Sequence, residues 1–278
     1  MTIVDDPTTQ AVEAPAPGGG KIPRRASRLL VRLLLFLAAV AGLFVAWVIG
    51  SHHFESYILP GPGLVWDSFT SMWSRGVWTA QVGSTLGHMF AAYGITIAIG
   101  LPLGILIGRF WVIEDLSRAL LIFLQTVPTI VLIALALIFV GTTATGVVAV
   151  TVGSCLAYFT LNVIQGTKSI DSELVEMART YGAHETTIMR SIILPSVVPF
   201  FLAGGRITLG VAWQVTLFGE YLMGTPGVGF QVNAAIKLLD TAAVFAWGLS
   251  VVFLTIAFEY GVFRPVEALL TRHMRRSE

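Results

Sequence analysis

The chain has 278 residues, of which 55% are hydrophobic and only 12% charged, about half the charged share of an ordinary soluble domain. Lipid is therefore the main solvent, and a conventional water-soluble globule is excluded. With 17 Lys and Arg against 16 Asp and Glu and a single cysteine, the chain has no basic surface for nucleic acid, no intrachain disulfide and no thiolate metal cluster.

Residues 1–28 contain Pro15, Pro17 and the run Gly18-Gly19-Gly20 with few large apolar side chains. This composition cannot bury enough surface to offset ordering, so a flexible tail is expected. Residues 29–50 are apolar behind the basic cluster Arg24, Arg25, Arg28 and Arg32. Ala39-Val40-Ala41 resembles a signal-peptide cleavage site, but about 20 apolar residues match the roughly 30 Å hydrocarbon core, which favours a retained first span. Further apolar stretches at 89–108, 120–140, 147–164, 197–222 and 242–263 bring the expectation to six spans in an all-α, multi-pass membrane protein, with residues 29–265 as the membrane domain and 266–278 as a second tail.

Basic residues near span ends orient such a chain. Lys21 to Arg32 supply five of them, Arg109 and Arg118 follow span two, Lys168, Arg179 and Arg190 follow span four, and Arg264, Arg272, Arg275 and Arg276 close the chain. The opposite side has Arg75 and Lys237. Both termini are therefore expected in the cytoplasm. In the first outside loop Val65, Phe69, Met72 and Trp73 recur at helical spacing beside Asp67, Ser68, Ser71, Ser74 and Arg75, which fits either a helix in the headgroup layer or an ordinary extramembrane helix.

The longest inside link, about 168–195, is the most informative segment. Asp171 suits an N-cap and Glu173 the first turn of a helix. Leu174, Met177, Ala178 and Tyr181 fall at helical spacing, Glu173, Glu176 and Arg179 project elsewhere, and Gly182 suits the left-handed residue that ends the helix. A second short helix is expected to run toward Leu194, where Pro195 breaks it ahead of span five.

Glu176-Met177-Ala178, then Gly182, then Ile192, Leu194 and Pro195 resemble the EAA signature of ABC importer permeases, with Met177 replacing the first of its two alanines. The resemblance extends over about Leu59 to Leu270 and favours the taurine, sulfonate and nitrate type. It is carried further by Leu59-Pro60-Gly61-Pro62, Gly100-Leu101-Pro102-Leu103-Gly104, and Gly210-Val211-Ala212-Trp213 with Glu220. His88 departs from that group's usual arginine, and Val127-Pro128-Thr129-Ile130 lacks its usual second proline and tryptophan. The resemblance implies a six-helix permease whose coupling loop (Glu173, Glu176, Met177, Ala178, Arg179 and Gly182) docks in an ABC ATPase dimer. It also implies a second permease subunit, a homodimer being the expected case, and an extracytoplasmic substrate-binding protein in a bacterial inner membrane. On that reading the chain is a non-catalytic subunit with no cofactor of its own, and the partner ATPase holds ATP and magnesium. The substrate class stays open among sulfonates, nitrate-like anions and vitamin precursors.

Ionisable residues within spans are costly and mark candidate sites. Arg206, Trp213 and Glu220 are spaced seven apart in span five. They line a translocation pathway together with Gln214 and Gln125, or else Arg206 snorkels and Glu220 sits at the outer interface. Gln125, Asn162 and His88 also suit helix–helix hydrogen bonds, and Gly204, Gly205 and Gly210 suit close helix approach. Gly166-Thr167-Lys168-Ser169 lacks the glycine spacing of a P-loop, and His52-His53 lack the spacing of a helical zinc site. An ATPase-independent carrier or channel is the alternative; inverted repeats or broken spans would favour it.

Overall fold

The computed structural model describes residues 24–258 and 260–261, and among these no strand occurs. The predicted tails 1–28 and 266–278 lie outside the described residues, except that helix α1 already begins at Arg24.

The chain divides into two units, before and after Phe54. The first contains α1 (Arg24–His53), a single helix with an apolar window at Leu34–His53 long enough to cross a bilayer.

Among the described residues the second unit holds ten α-helices. They are α2 (Pro62–Ser74), α3 (Val77–Arg109), α4 (Trp111–Thr126), α5 (Thr129–Val140), α6 (Ala144–Lys168), α7 (Ser172–Thr180), α8 (Glu185–Ile188), α9 (Leu194–Met223), α10 (Val228–Lys237) and α11 (Thr241–Phe258). Among the described residues, five helices are long and apolar enough to cross a membrane, and α4 with α5 makes a sixth crossing only as a pair bent by 95°. The expectation of an unbroken third span is corrected here. Proline removes a helical N–H and pushes the preceding residue into extended backbone, and Val127 accordingly has φ −65° and ψ 123°.

Pro195 does not break its helix as expected. A π-helical turn over Met189–Ile193 joins α8 to α9, with Pro195 in the first turn of α9, so one path runs unbroken from Glu185 to Met223.

α6 is the centre of the bundle, and α3 and α9 pack on it most extensively. On α3, Gly100, Gly104 and Gly108 follow one another at four-residue intervals and face Phe159, Val163 and Thr167 of α6. A Cβ at Gly104 would lie 2.6 Å from Val163 Cβ, so this stripe brings the two backbones to the close contact that replaces the hydrophobic drive missing in lipid. From α9, Gly204 meets Asn162 and Gly219 meets Val147 in the same way. The core at the α7 end collects Ile105, Phe159, Val163, Ile188, Ile193 and Val197.

Candidate functional site

α7 forms where the sequence places it. Asp171 Oδ1 accepts the Glu173 N–H at 2.9 Å, and Glu173 sits in the first turn. The helix ends in a Schellman turn: Ala183 N–H donates to Ala178 O at 3.0 Å and Gly182 N–H to Arg179 O at 2.9 Å. Gly182 has φ +78°, where any other residue would be strained.

The helix faces are distributed differently from a simple apolar-in pattern. Val175 and Ala178 pack on the Ile188–Ile193 cluster, whereas Leu174, Met177 and Tyr181 point outward, Tyr181 with 85% of its surface exposed. Glu173, Glu176 and Arg179 are exposed as well. Among the described residues nothing covers this apolar stripe, which is flanked by charge on α7.

Glu185, which the sequence reading passed over, fastens this hairpin to the bundle. One carboxylate oxygen takes the Arg179 guanidinium at 2.9 Å, and the other takes the Arg109 guanidinium from the last turn of α3. A cavity of about 370 Å³ opens between that turn and α7, lined by Arg109, Thr167, Ser172, Glu176 and Arg179 among others. α7 is therefore tied to α3 across this gap by the ion pairs. Nearby, Lys168 binds both oxygens of Glu114 at 2.7 and 2.9 Å and joins α6 to α4.

On α9 the seven-residue set divides. Arg206 and Gln214 are exposed with Gly210 between them, whereas Trp213 and Glu220 are buried. Trp213 Nε1–H donates to Thr255 Oγ1 at 3.0 Å and its ring lies 5.8 Å from Phe258. Gln125 is half-buried in the last turn of α4, just ahead of the 95° break. Asn162 bonds back to Tyr158 O of its own helix at 2.9 Å, under Gly204.

Glu220 is fully buried and accepts three hydrogen bonds: from Thr85 Oγ1–H at 2.8 Å, from His88 Nδ1–H at 2.9 Å, and from the Gly229 N–H in the first turn of α10 at 3.1 Å. Thr85 Oγ1 in turn accepts the Val228 N–H at 2.9 Å. The carboxylate thus knots α3, α9 and α10, and the positive end of α10 favours its charge. Gly227 and Gly229 make room: a Cβ on Gly227 would strike the Glu220 carboxyl carbon, and one on Gly229 the Leu217 carbonyl. α10, Thr85 and these glycines were not singled out from sequence. The signal available was an acidic residue ahead of a Gly-x-Gly pair, against a Thr and a His one turn apart.

The family model described as binding-protein-dependent transport system inner membrane component matches residues 100–262, more than half of the chain, including the α7–α8 hairpin and all of α9. The chain belongs to this family. As an ABC importer permease it is a multi-pass membrane protein that works with an ATPase and a substrate-binding protein. Among its relatives, the taurine transport system permease protein TauC of Escherichia coli is 25% identical over 191 residues, 69% of each chain. The formylaminopyrimidine transport permease protein ThiX of Halalkalibacterium halodurans is 29% identical over 227 residues, 80% of this chain and 88% of the relative. A chain of the MetNI methionine ABC transporter, solved in inward-facing conformations, shares the fold with a TM-score of 0.58 at 20% identity, over 71% of this chain and 95% of the other. Those findings favour the importer permease over the ATPase-independent carrier, even with the broken α4–α5 crossing present.

Proposed function

We propose that this permease subunit carries a small solute inward by alternating access, with the α7–α8 hairpin and both termini in the cytoplasm. Two copies of the chain pair, and each inserts its hairpin into one subunit of an ABC ATPase dimer, which binds ATP and magnesium and performs the hydrolysis; the permease itself holds no cofactor and catalyses no reaction. The carrying observation is the exposed Leu174–Met177–Tyr181 stripe on a helix capped by Gly182 and tied to α3 through Glu185. When the ATPase dimer closes, a hairpin fixed in this way moves α3 and α9 with it, and the bundle opens outward to take solute from the binding protein.

The exposed α9 face with Arg206, Gly210 and Gln214 lines the pathway between the two copies, and Trp213 and Glu220 brace the wall behind it. A guanidinium and an amide on that face suit a small anionic or polar solute. The taurine and formylaminopyrimidine assignments of the relatives support a sulfonate, a nitrate-like anion or a vitamin precursor.

The test is purification of the tagged chain in mild detergent with its nucleotide-hydrolysing partner. Native chain is expected to retain an ATPase, and Glu176→Arg or Gly182→Trp to lose it while the bundle stays folded. Solute uptake by the chain alone, with no ATPase retained, overturns the reading.

A further inference from the structure

The segment that carries α2 is fastened to α11 at two depths, through Tyr57 ahead of α2 and Trp78 in the first turn of α3. Thr241 Oγ1–H, at the start of α11, donates to the Tyr57 carbonyl at 2.6 Å, and Trp78 Nε1–H, just past α2, donates to Ser250 Oγ at 3.0 Å. These anchors are nine residues apart on α11, about 14 Å along a helix axis. The segment between them therefore descends obliquely along a membrane-crossing helix and does not project away from it. Its upper anchor adjoins Lys237 and Asp240, and Asp240 Oδ1 caps α11 by accepting the Ala243 N–H at 3.0 Å. That end belongs to water or the outermost headgroups. The headgroup layer is roughly 5–8 Å deep on each side of the hydrocarbon, so a 14 Å descent carries the segment through it and reaches the top of the acyl chains.

The faces of α2 match that depth. Val65 and Met72 are buried against the bundle. On one flank Trp66 (64% exposed), Phe69 and Trp73 (53% exposed) stack with Trp78 in a continuous chain of rings, with centroids 5.0–6.2 Å apart. On the other flank lie Asp67, Thr70, Ser71 and Ser74, all exposed. Below Ser250 the exposed side chains of α11 are apolar apart from Thr255, whose hydroxyl donates to the Val251 carbonyl at 2.8 Å; Val252, Phe253 and Ile256 are exposed, so the rings continue a lipid-facing band upward. Indoles with one edge in hydrocarbon and an N–H near water concentrate at this boundary.

We propose that the Trp66–Phe69–Trp73 flank of α2 is a phospholipid-binding surface seated in the headgroup–glycerol layer on the α10 side of the membrane. The occupant is lipid and not a protein, because the aromatic flank is continuous with the lipid-facing band of α11 and the polar flank beside it supplies the aqueous side of the same boundary. The assignment is independent of which solute is carried and of which ATPase docks.

The experiment places full-length native chain and a Trp66→Phe/Trp73→Phe variant in phosphatidylcholine nanodiscs. The difference between their tryptophan emissions isolates the two indoles. That component is expected to be quenched severalfold more by lipid brominated near the glycerol than by lipid brominated near the chain methyls, or by aqueous iodide. Quenching by iodide but by neither lipid shows a helix standing in water and overturns the proposal, and quenching by none of the three shows a protein-covered face and does the same. If the double variant does not insert, single nitroxides decide. Oxygen accessibility at Phe69→Cys is expected to exceed that at Ser71→Cys severalfold, with the order reversed for a water-soluble nickel chelate, and equal accessibilities overturn the proposal.

Discussion

Glu220 and Gly229 are nine residues apart and belong to different helices, yet the carboxylate of the first accepts the backbone N–H of the second at 3.1 Å. A fully buried carboxylate is tolerable only where donors replace water, and here Thr85, His88 and Gly229 replace it from two further helices. Glu220→Ala leaves all three donors facing a void and is expected to cost about 3–5 kcal/mol of folding stability. Thr85→Val removes a donor to Glu220 and also the acceptor of the Val228 N–H, with an expected cost of about 1–3 kcal/mol. Thermal unfolding of the purified chain in detergent gives both values. The two substitutions are expected to be strongly non-additive when combined, because they break one network.

The glycine stripe of α3 predicts a graded response. Alanine at Gly104 would place its Cβ 2.6 Å from Val163 Cβ, inside a helix pair with no slack on the α6 side. Gly104→Ala is expected to lower the unfolding midpoint and Gly104→Leu to prevent stable assembly. At Gly94 of the same helix, where nothing lies within 4 Å of an added Cβ, alanine is expected to stabilise slightly through helix propensity, by up to about 1 kcal/mol. Equal effects at the two positions would show that α3 and α6 are not in close contact.

Much of this arrangement was legible in sequence, for reasons that differ by element. The spans announced themselves because hydropathy over about 20 residues is a one-dimensional property, and the α7 cap and its terminal glycine were legible because both are local devices. The upper third of α3 was missed because Gln81, Ser84, Thr85 and His88 dilute its hydropathy; Ser84, Thr85 and His88 are polar in order to meet α9, α10 and the α9–α10 turn, a fact of tertiary packing. The bend at Val127 has a local signal in Val-Pro, but that signal carries no angle, and the 95° is seen only in the structure. The outward turn of Leu174, Met177 and Tyr181 was not recoverable from periodicity, which identifies an apolar stripe and cannot say whether this chain or another covers it. Arg206, Trp213 and Glu220 show the limit of seven-residue spacing. On a straight helix they share a flank, yet neighbouring helices bury two of them and leave the first exposed.

Leu239 predicts a gain of stability. It has φ +57° and occupies the left-handed position of a Schellman turn that ends α10, with Asp240 N–H donating to Ala235 O and Leu239 N–H to Ile236 O, both at 3.0 Å. A leucine held there costs about 1–2 kcal/mol in backbone sterics, and its side chain is exposed with no burial to offset it. Leu239→Gly is expected to raise the unfolding midpoint by an amount corresponding to about 1 kcal/mol, whereas Leu238→Gly, in ordinary helical backbone, lowers it. The opposite order would remove the strain assignment.

Under the proposed coupling, mutation of Glu185 is expected to separate the stability of the bundle from transmission to the ATPase. Its two ion pairs are exposed at the surface, where such contacts contribute about 0–1 kcal/mol. Glu185→Ala should therefore leave the unfolding midpoint and the amount of bound ATPase nearly unchanged. Transport per ATP hydrolysed is expected to fall, because α7 then moves without pulling Arg109 and the end of α3. The clamp can be apportioned by a double-mutant cycle in proteoliposomes supplied with the partner ATPase and binding protein. Arg109→Ala added to Glu185→Ala should do no further harm to the uptake-to-hydrolysis ratio, and Arg179→Ala alone should retain more of that ratio than Arg109→Ala, since Arg179 lies within the moving hairpin and Arg109 beyond it. If Glu185→Ala lowers hydrolysis and uptake in equal proportion, the carboxylate serves docking of the hairpin and not transmission through α3.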